Sequence, residues 1–133
     1  MNAHYSSVAE RAGHRCEYCR APEAIFNFPF EVEHVIPASK GGVDDESNRA
    51  LACRSCNLFK SDHLTGPDAE TNENAKLFDP RRDSWGAHFR FQSESKTIEG
   101  LTSVGRATVE RLRMNSPLQL AARQAWMRLR LYP

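Results

Sequence analysis

A chain of 133 residues, 40% hydrophobic and 26% charged, can bury one core, or one small domain with an appendage. It has no apolar run long enough to span a bilayer, no low-complexity tract and no internal repeat, which excludes membrane-spanning, fibrous and solenoid classes. The formal net charge of +1 hides an asymmetry: residues 1–79 hold 8 Lys/Arg against 13 Asp/Glu, and residues 80–133 hold 10 against 4. The second part is therefore the basic one, and it suits a polyanion partner unless its arginines simply face water.

In chain order, Ser7-Val8-Ala9-Glu10 fits a capping box and Gly13 a helix stop, which predicts a short helix over 8–12. It leads into Cys16 and Cys19. Residues 30–36 alternate apolar and polar side chains up to Pro37, a strand pattern that puts Phe30, Val32 and His34 on its buried face. Residues 37–47, with Gly41-Gly42, read as a glycine-rich loop, 49–52 as a returning strand into Cys53, and the stretch from Ser55 through Lys60 as a helix.

All four cysteines fall in two Cys-x-x-Cys pairs, Cys16/Cys19 and Cys53/Cys56. Each pair aims two thiolates at one point, and two pairs close a tetrahedron that suits Zn2+ and leaves no position for substrate. Two disulfides are the rival reading, and zinc is preferred because no secretory signal is evident and reduced thiols are the default in the cytoplasm. A thioredoxin-like redox pair lacks its βαβ setting. In so short a segment the metal supplies much of the folding free energy. His14 lies beside the first pair, but four thiolates already fill the site; His4, His63 and His88 read as surface or packing residues.

Further on, residues 62–75 read as a polar linker. A hairpin pairing 89–92 with 97–100 follows, then helices over 103–114 and 117–131 separated by Asn115-Ser116. Leu118, Ala121, Ala122, Ala125, Trp126 and Leu129 share one helical face, expected to pack against that hairpin.

Taken jointly, Cys16-x-x-Cys19, Glu33-His34-Val35-Ile36-Pro37, Gly41-Gly42, Asn48 and Cys53-Arg54-Ser55-Cys56-Asn57-Leu58-Phe59-Lys60 resemble the HNH nucleases with their ββα-metal finger. The resemblance covers about residues 16–61. It implies an α+β fold, a ββα-metal finger stapled by a four-cysteine zinc site and followed by a C-terminal β-hairpin and helices. It also implies a metal-dependent endonuclease acting on DNA, with His34 as general base, Glu33 and Asn57 as ligands of Mg2+ or Mn2+, and Asn48 holding the loop that positions the base. This chain has Glu33 where many members have Asp, and Asn57 rather than His, which makes the cation site harder. Phosphodiester hydrolysis needs a deprotonated water and neutralisation of charge on the phosphate and leaving oxygen, roles an imidazole and a divalent cation fill. Lys40 and Lys60 are candidate phosphate contacts, with a solvated lysine as the alternative for each.

The segment 77–91, followed by Gly105-Arg106-Ala107-Thr108, resembles the tail of small stand-alone bacterial HNH proteins, which makes Arg81, Arg82, Arg90 and Arg106 candidates for a DNA-facing surface. Pairing with the acidic half of the chain is the alternative for each. The expected organisation is a nuclease core over 1–62 and a basic extension over 63–133 packed on it, in a cytoplasmic protein with DNA and no membrane as partner. Two other readings stay open: a non-catalytic zinc-stapled nucleic-acid-binding module, and a zinc domain that contacts only protein.

Overall fold

The computed structural model describes residues 2–133, and it is of mixed α and β composition, with three separate antiparallel hairpins bound together by helices. The first helix, α1 (Tyr5–Arg11), buries Val8 and Ala9. It starts earlier than the capping box predicts, because Ser7 lies inside its first turn and its hydroxyl donates to the His4 carbonyl instead of capping. The strands β1 (Glu31–His34) and β2 (Arg49–Ala52) pair antiparallel, with Glu31 opposite Ala52, Val32 opposite Leu51, Glu33 opposite Ala50 and His34 opposite Arg49. Directly after β2 comes α2 (Arg54–Lys60), whose N-cap is Cys53.

The expected linker over 62–75 is instead a hairpin, β3 (Thr65–Asp68) with β4 (Glu73–Lys76). Its buried positions are Gly66 and Asp68, so no apolar alternation announces it. The Asp68 carboxylate accepts from the Glu70 amide, Asn72 donates its amide to the Asp68 carbonyl, and Asn72 takes the left-handed conformation that closes the turn. A short α3 (Trp85–His88) then precedes β5 (Phe89–Gln92) and β6 (Thr97–Gly100), which pair over the predicted residues.

Helix α4 (Ser103–Arg111) is capped by the Thr102 hydroxyl and α5 (Pro117–Arg128) by that of Ser116, with Pro117 in the first turn. Trp126 of the predicted face of α5 is buried, but Leu118 and Leu129 are 85% and 57% exposed, and Gln119 and Arg123 are buried in their stead. Arg123 turns inward because its guanidinium finds the carbonyls of Lys96 and Met114, both at 2.7 Å, which leaves its Nε as a buried donor without a partner.

Both parts of the chain contribute to the buried core, which includes Val8, Tyr18, Phe30, Leu51, Phe78, Phe89, Ile98, Leu112, Met114 and Trp126. Phe78 meets Tyr18 edge-on at 6.3 Å and Phe89 at 5.2 Å, while the Trp85 indole donates to the Tyr18 carbonyl at 2.7 Å. At the far end of the chain the Tyr132 hydroxyl donates to the Cys19 carbonyl at 2.9 Å, and Arg15 to that of Leu131 at 2.8 Å. No helix among the described residues is long and apolar enough to cross a membrane.

Candidate active site

The Sγ atoms of Cys16, Cys19, Cys53 and Cys56 all lie within 4.8 Å of one another, and all four residues are buried. Cys19 and Cys53 Sγ are 3.7 Å apart. A tetrahedron with zinc–sulfur bonds of about 2.3 Å has edges of about 3.8 Å, so the thiols fit a zinc ion, and that separation is far too long for a disulfide. The Cys56 amide donates to Cys53 Sγ at 3.4 Å, so the second pair doubles as the cap of α2. Zinc would therefore fix the start of α2 against the loop carrying Cys16 and Cys19.

Of the face expected to be buried, Phe30 is in the core, but the next positions of the β1/β2 hairpin depart from expectation. Val32 and His34 are half-exposed, and the carboxylate of Glu33, 7% exposed, is the buried group. It faces α2, where it accepts from the Tyr18 hydroxyl and lies 3.3 Å from Lys60 Nζ. Burial pushes the Glu33 carboxyl up from its ordinary value, against the pull of the Lys60 ammonium and the Tyr18 hydroxyl. Burial and the adjacent Glu33 carboxylate likewise push the Tyr18 phenol well up. Lys60 is therefore not a phosphate contact. It is 2% exposed, and its ammonium donates to the Val35 carbonyl at 2.9 Å, which pins the end of β1 to the last turn of α2.

Asn48 is buried and holds the loop between the strands. Its side-chain oxygen accepts from the Ile36 amide, and its nitrogen donates to the carbonyls of Ile36 and Val43, each at 2.9 Å. The glycines have a steric reason to be there. Gly41 adopts φ +87°, and a Cβ on Gly42 would stand 1.7 Å from the Ile36 oxygen. Lys40 sits exposed on this loop.

His34, at the open end of β1, keeps 41% of its side chain exposed. Its Nε2 is 3.0 Å from Asp44 Oδ1, and the same oxygen is 3.1 Å from Arg49 Nη2. Those hydrogen bonds from His34 and then Arg49 hold the Asp44 carboxyl below the usual carboxylate range. Asn57 points elsewhere: its amide nitrogen bonds Glu31, which also pairs with Arg54 at 3.1 Å. Glu33 and Asn57 thus have different partners, and Glu31 is the carboxylate that reaches Asn57. Sequence reasoning missed Glu31, Asp44, Arg49 and Tyr18; the parity of Glu31 with Glu33 and the register of Arg49 with His34 were the available signals.

Residues 16–63 match the family model for HNH endonuclease. This stretch is similar to an HNH domain. Neither the curated proteins nor the solved structures compared with the chain gave a match. The HNH segment runs from the first zinc-ligand candidate to just beyond α2, so it spans all four cysteines together with Glu33, His34, Asn48 and Asn57. The arginines expected to extend it are mostly engaged. Arg81 pairs with Glu17, Arg90 lies 2.9 Å from Glu99, and Arg106 is 2.9 Å from Asp68 and 3.3 Å from Glu70. Arg82, its side chain 81% exposed, reaches Asp79 only at 4.0 Å.

Proposed function

We propose that the protein is an endonuclease that hydrolyses DNA phosphodiester bonds with His34 as the general base. The observation that carries this reading is the setting of His34: an exposed imidazole at the end of a strand inside an HNH domain, its backbone fixed by the ladder to Arg49 and by the Asn48-held loop. A neutral imidazole takes a proton from water near neutral pH, which generates the attacking hydroxide beside a phosphate. A carboxylate can only accept, so while Asp44 sits on Nε2 that nitrogen carries the proton. Base catalysis through Nε2 then begins with Asp44, exposed and on a loop, giving way to water and substrate.

A divalent cation bound at such a site stabilises charge on the phosphate and on the leaving oxygen. The ligands expected for it are Glu33 and Asn57, with Mg2+ or Mn2+ as the hard ions such oxygens take. The Glu33 carboxylate is already engaged by Tyr18 and Lys60. Glu31 and Asn57 form the alternative pair of oxygen-bearing side chains in contact. We take residues 1–62 as the nuclease unit and 63–133 as an extension that serves it, and four zinc-bound thiolates argue for a reducing compartment such as the cytoplasm.

The engagement of Glu33 favours one other reading, a zinc-stapled nucleic-acid-binding module without catalysis. Plasmid cleavage separates the two. Zinc-loaded protein is incubated with supercoiled plasmid, without and with added Mg2+ or Mn2+, beside folded His34→Ala, Glu31→Gln and Glu33→Gln variants. Cation-dependent nicking that His34→Ala abolishes is the expected result, and the glutamine variants assign the carboxylate. Cleavage that survives His34→Ala refutes His34 as the base, and no cleavage at all promotes the binding module.

A further inference from the structure

The basic half of the sequence, 80–133, is where a polyanion surface is expected, yet three arginines of the acidic half also lack a carboxylate partner and converge on one cleft. Arg11, Arg15 and Arg20 line one cleft of about 280 Å³, which Glu17, Asp83 and Trp85 also border. Both carboxylates there are already committed. Glu17 pairs with Arg81 and accepts from the Leu51 amide at 2.8 Å; Asp83 lies 3.4 Å from Lys76 and accepts from the Asp79 amide at 2.9 Å.

The three arginines meet only neutral groups. Arg11 donates to the carbonyls of Glu46 at 2.9 Å and Arg49 at 2.5 Å, Arg15 to those of Arg20 at 3.0 Å and Leu131 at 2.8 Å, and Arg20 lies 4.7 Å from the centre of the Trp85 ring. Such contacts orient a guanidinium without cancelling its charge, and each keeps spare N–H donors for an anion. Partial burial and the nearby Arg81 hold the Arg11 guanidinium below its ordinary value, against the pull of Glu17 and Glu46. Arg11 also ties the cleft to the candidate site, since the carbonyl it holds belongs to Arg49, the ladder partner of His34.

We propose that the cleft of Arg11, Arg15 and Arg20 seats a backbone phosphate of the nucleic acid flanking the one at His34. The proposal rests on the nuclease reading above. It puts the positioning contacts on the zinc-knuckle side of the finger and not on Arg82 or Arg90. Phosphate contacts of this kind set register and carry no sequence preference.

The test is binding of a short fluorescent duplex to the zinc-loaded chain carrying His34→Ala, without Mg2+, followed by anisotropy over a range of salt. Replacing Arg11, Arg15 and Arg20 together by Gln is expected to lower the slope of log affinity against log salt by roughly 1 per arginine, and the matching Lys variant to restore most of it. Arg90→Gln and Arg128→Gln should leave the slope unchanged. Because Arg15 also braces Leu131, Arg20→Gln alone is measured as well, and zinc content and melting temperature are checked for each variant. An unchanged slope in Arg20→Gln and in the triple variant overturns the proposal, as does a slope loss confined to Arg90→Gln or Arg128→Gln. Loss of inorganic-phosphate binding with duplex binding intact would assign the cleft to a free anion and overturn it too. If the wild-type chain binds and cleaves DNA while the triple variant keeps its slope, this inference alone falls; if the wild-type chain shows no salt-dependent binding, the nuclease reading falls with it.

Discussion

Lys60→Met removes one charge from a place water does not reach. Lys60 is 2% exposed and Glu33 7%, and the ammonium serves both the Glu33 carboxylate at 3.3 Å and the Val35 carbonyl at 2.9 Å. Methionine keeps most of the stem's volume, so packing changes little, but Glu33 is left with Tyr18 as its sole hydrogen-bond donor and the carbonyl with none. Breaking a buried pair on one side costs about 3–5 kcal/mol, which for a chain of this size lowers the melting temperature by roughly 10–20 °C. The assay is urea unfolding followed by tryptophan fluorescence in excess Zn2+, with the denaturant slope checked for constancy. Protonation neutralises the orphaned carboxyl, and burial already pushes its pKa up, so the loss should shrink as pH falls and grow as pH rises. Glu33→Gln on top of Lys60→Met should recover much of the loss. A cost below about 1 kcal/mol, or a double variant no better than the single one, would refute the view that this ion pair fastens α2 to the end of β1.

Asn48→Asp exchanges two donated hydrogen bonds for a carboxylate facing the Ile36 and Val43 carbonyls; it should cost about 2–3 kcal/mol in urea unfolding and reduce cleavage while zinc content stays at one per chain. Arg106 holds the Asp68 carboxyl down at about 2, so its stabilising contribution is complete above the ordinary value of about 4 and is lost as pH falls from there toward 2. Melting curves of wild type and Asp68→Asn should accordingly converge across that interval, and a gap independent of pH would contradict the assignment. Removing zinc with a thiol-compatible chelator should abolish the cooperative melt of the finger and return it on adding Zn2+, read by circular dichroism.

The finger was legible because its signals are local and redundant: four cysteines at fixed spacing, a Pro-terminated strand, and Gly41-Gly42 beside Asn48. What escaped was set by tertiary partners. The strand pattern of Val32 and His34 pointed them inward, but α2 brings Lys60 over the other face and makes a carboxylate the buried residue. The β3/β4 hairpin buries Gly66 and Asp68, residues whose local preference is for turns, and Arg106 from α4 together with the Glu70 amide makes the latter's burial tolerable. Likewise Arg123 reads as a solvent-facing helix residue until the carbonyls of Lys96 and Met114 are in view. The link from His34 through Asp44 to Arg49 depends on where an exposed loop lies, and no periodicity encodes that.

The tie between Tyr132 and the Cys19 carbonyl joins residues 113 positions apart. During synthesis the last zinc-ligand candidate, Cys56, leaves the ribosome 76 residues before Tyr132, roughly 4–15 s at ordinary elongation rates. For most of that interval a zinc-loaded finger would exist without its outer clamp, its Phe26 side chain not yet covered by Trp126. The nascent finger is thus the stage at which this protein is most open to chaperones and to loss of its metal.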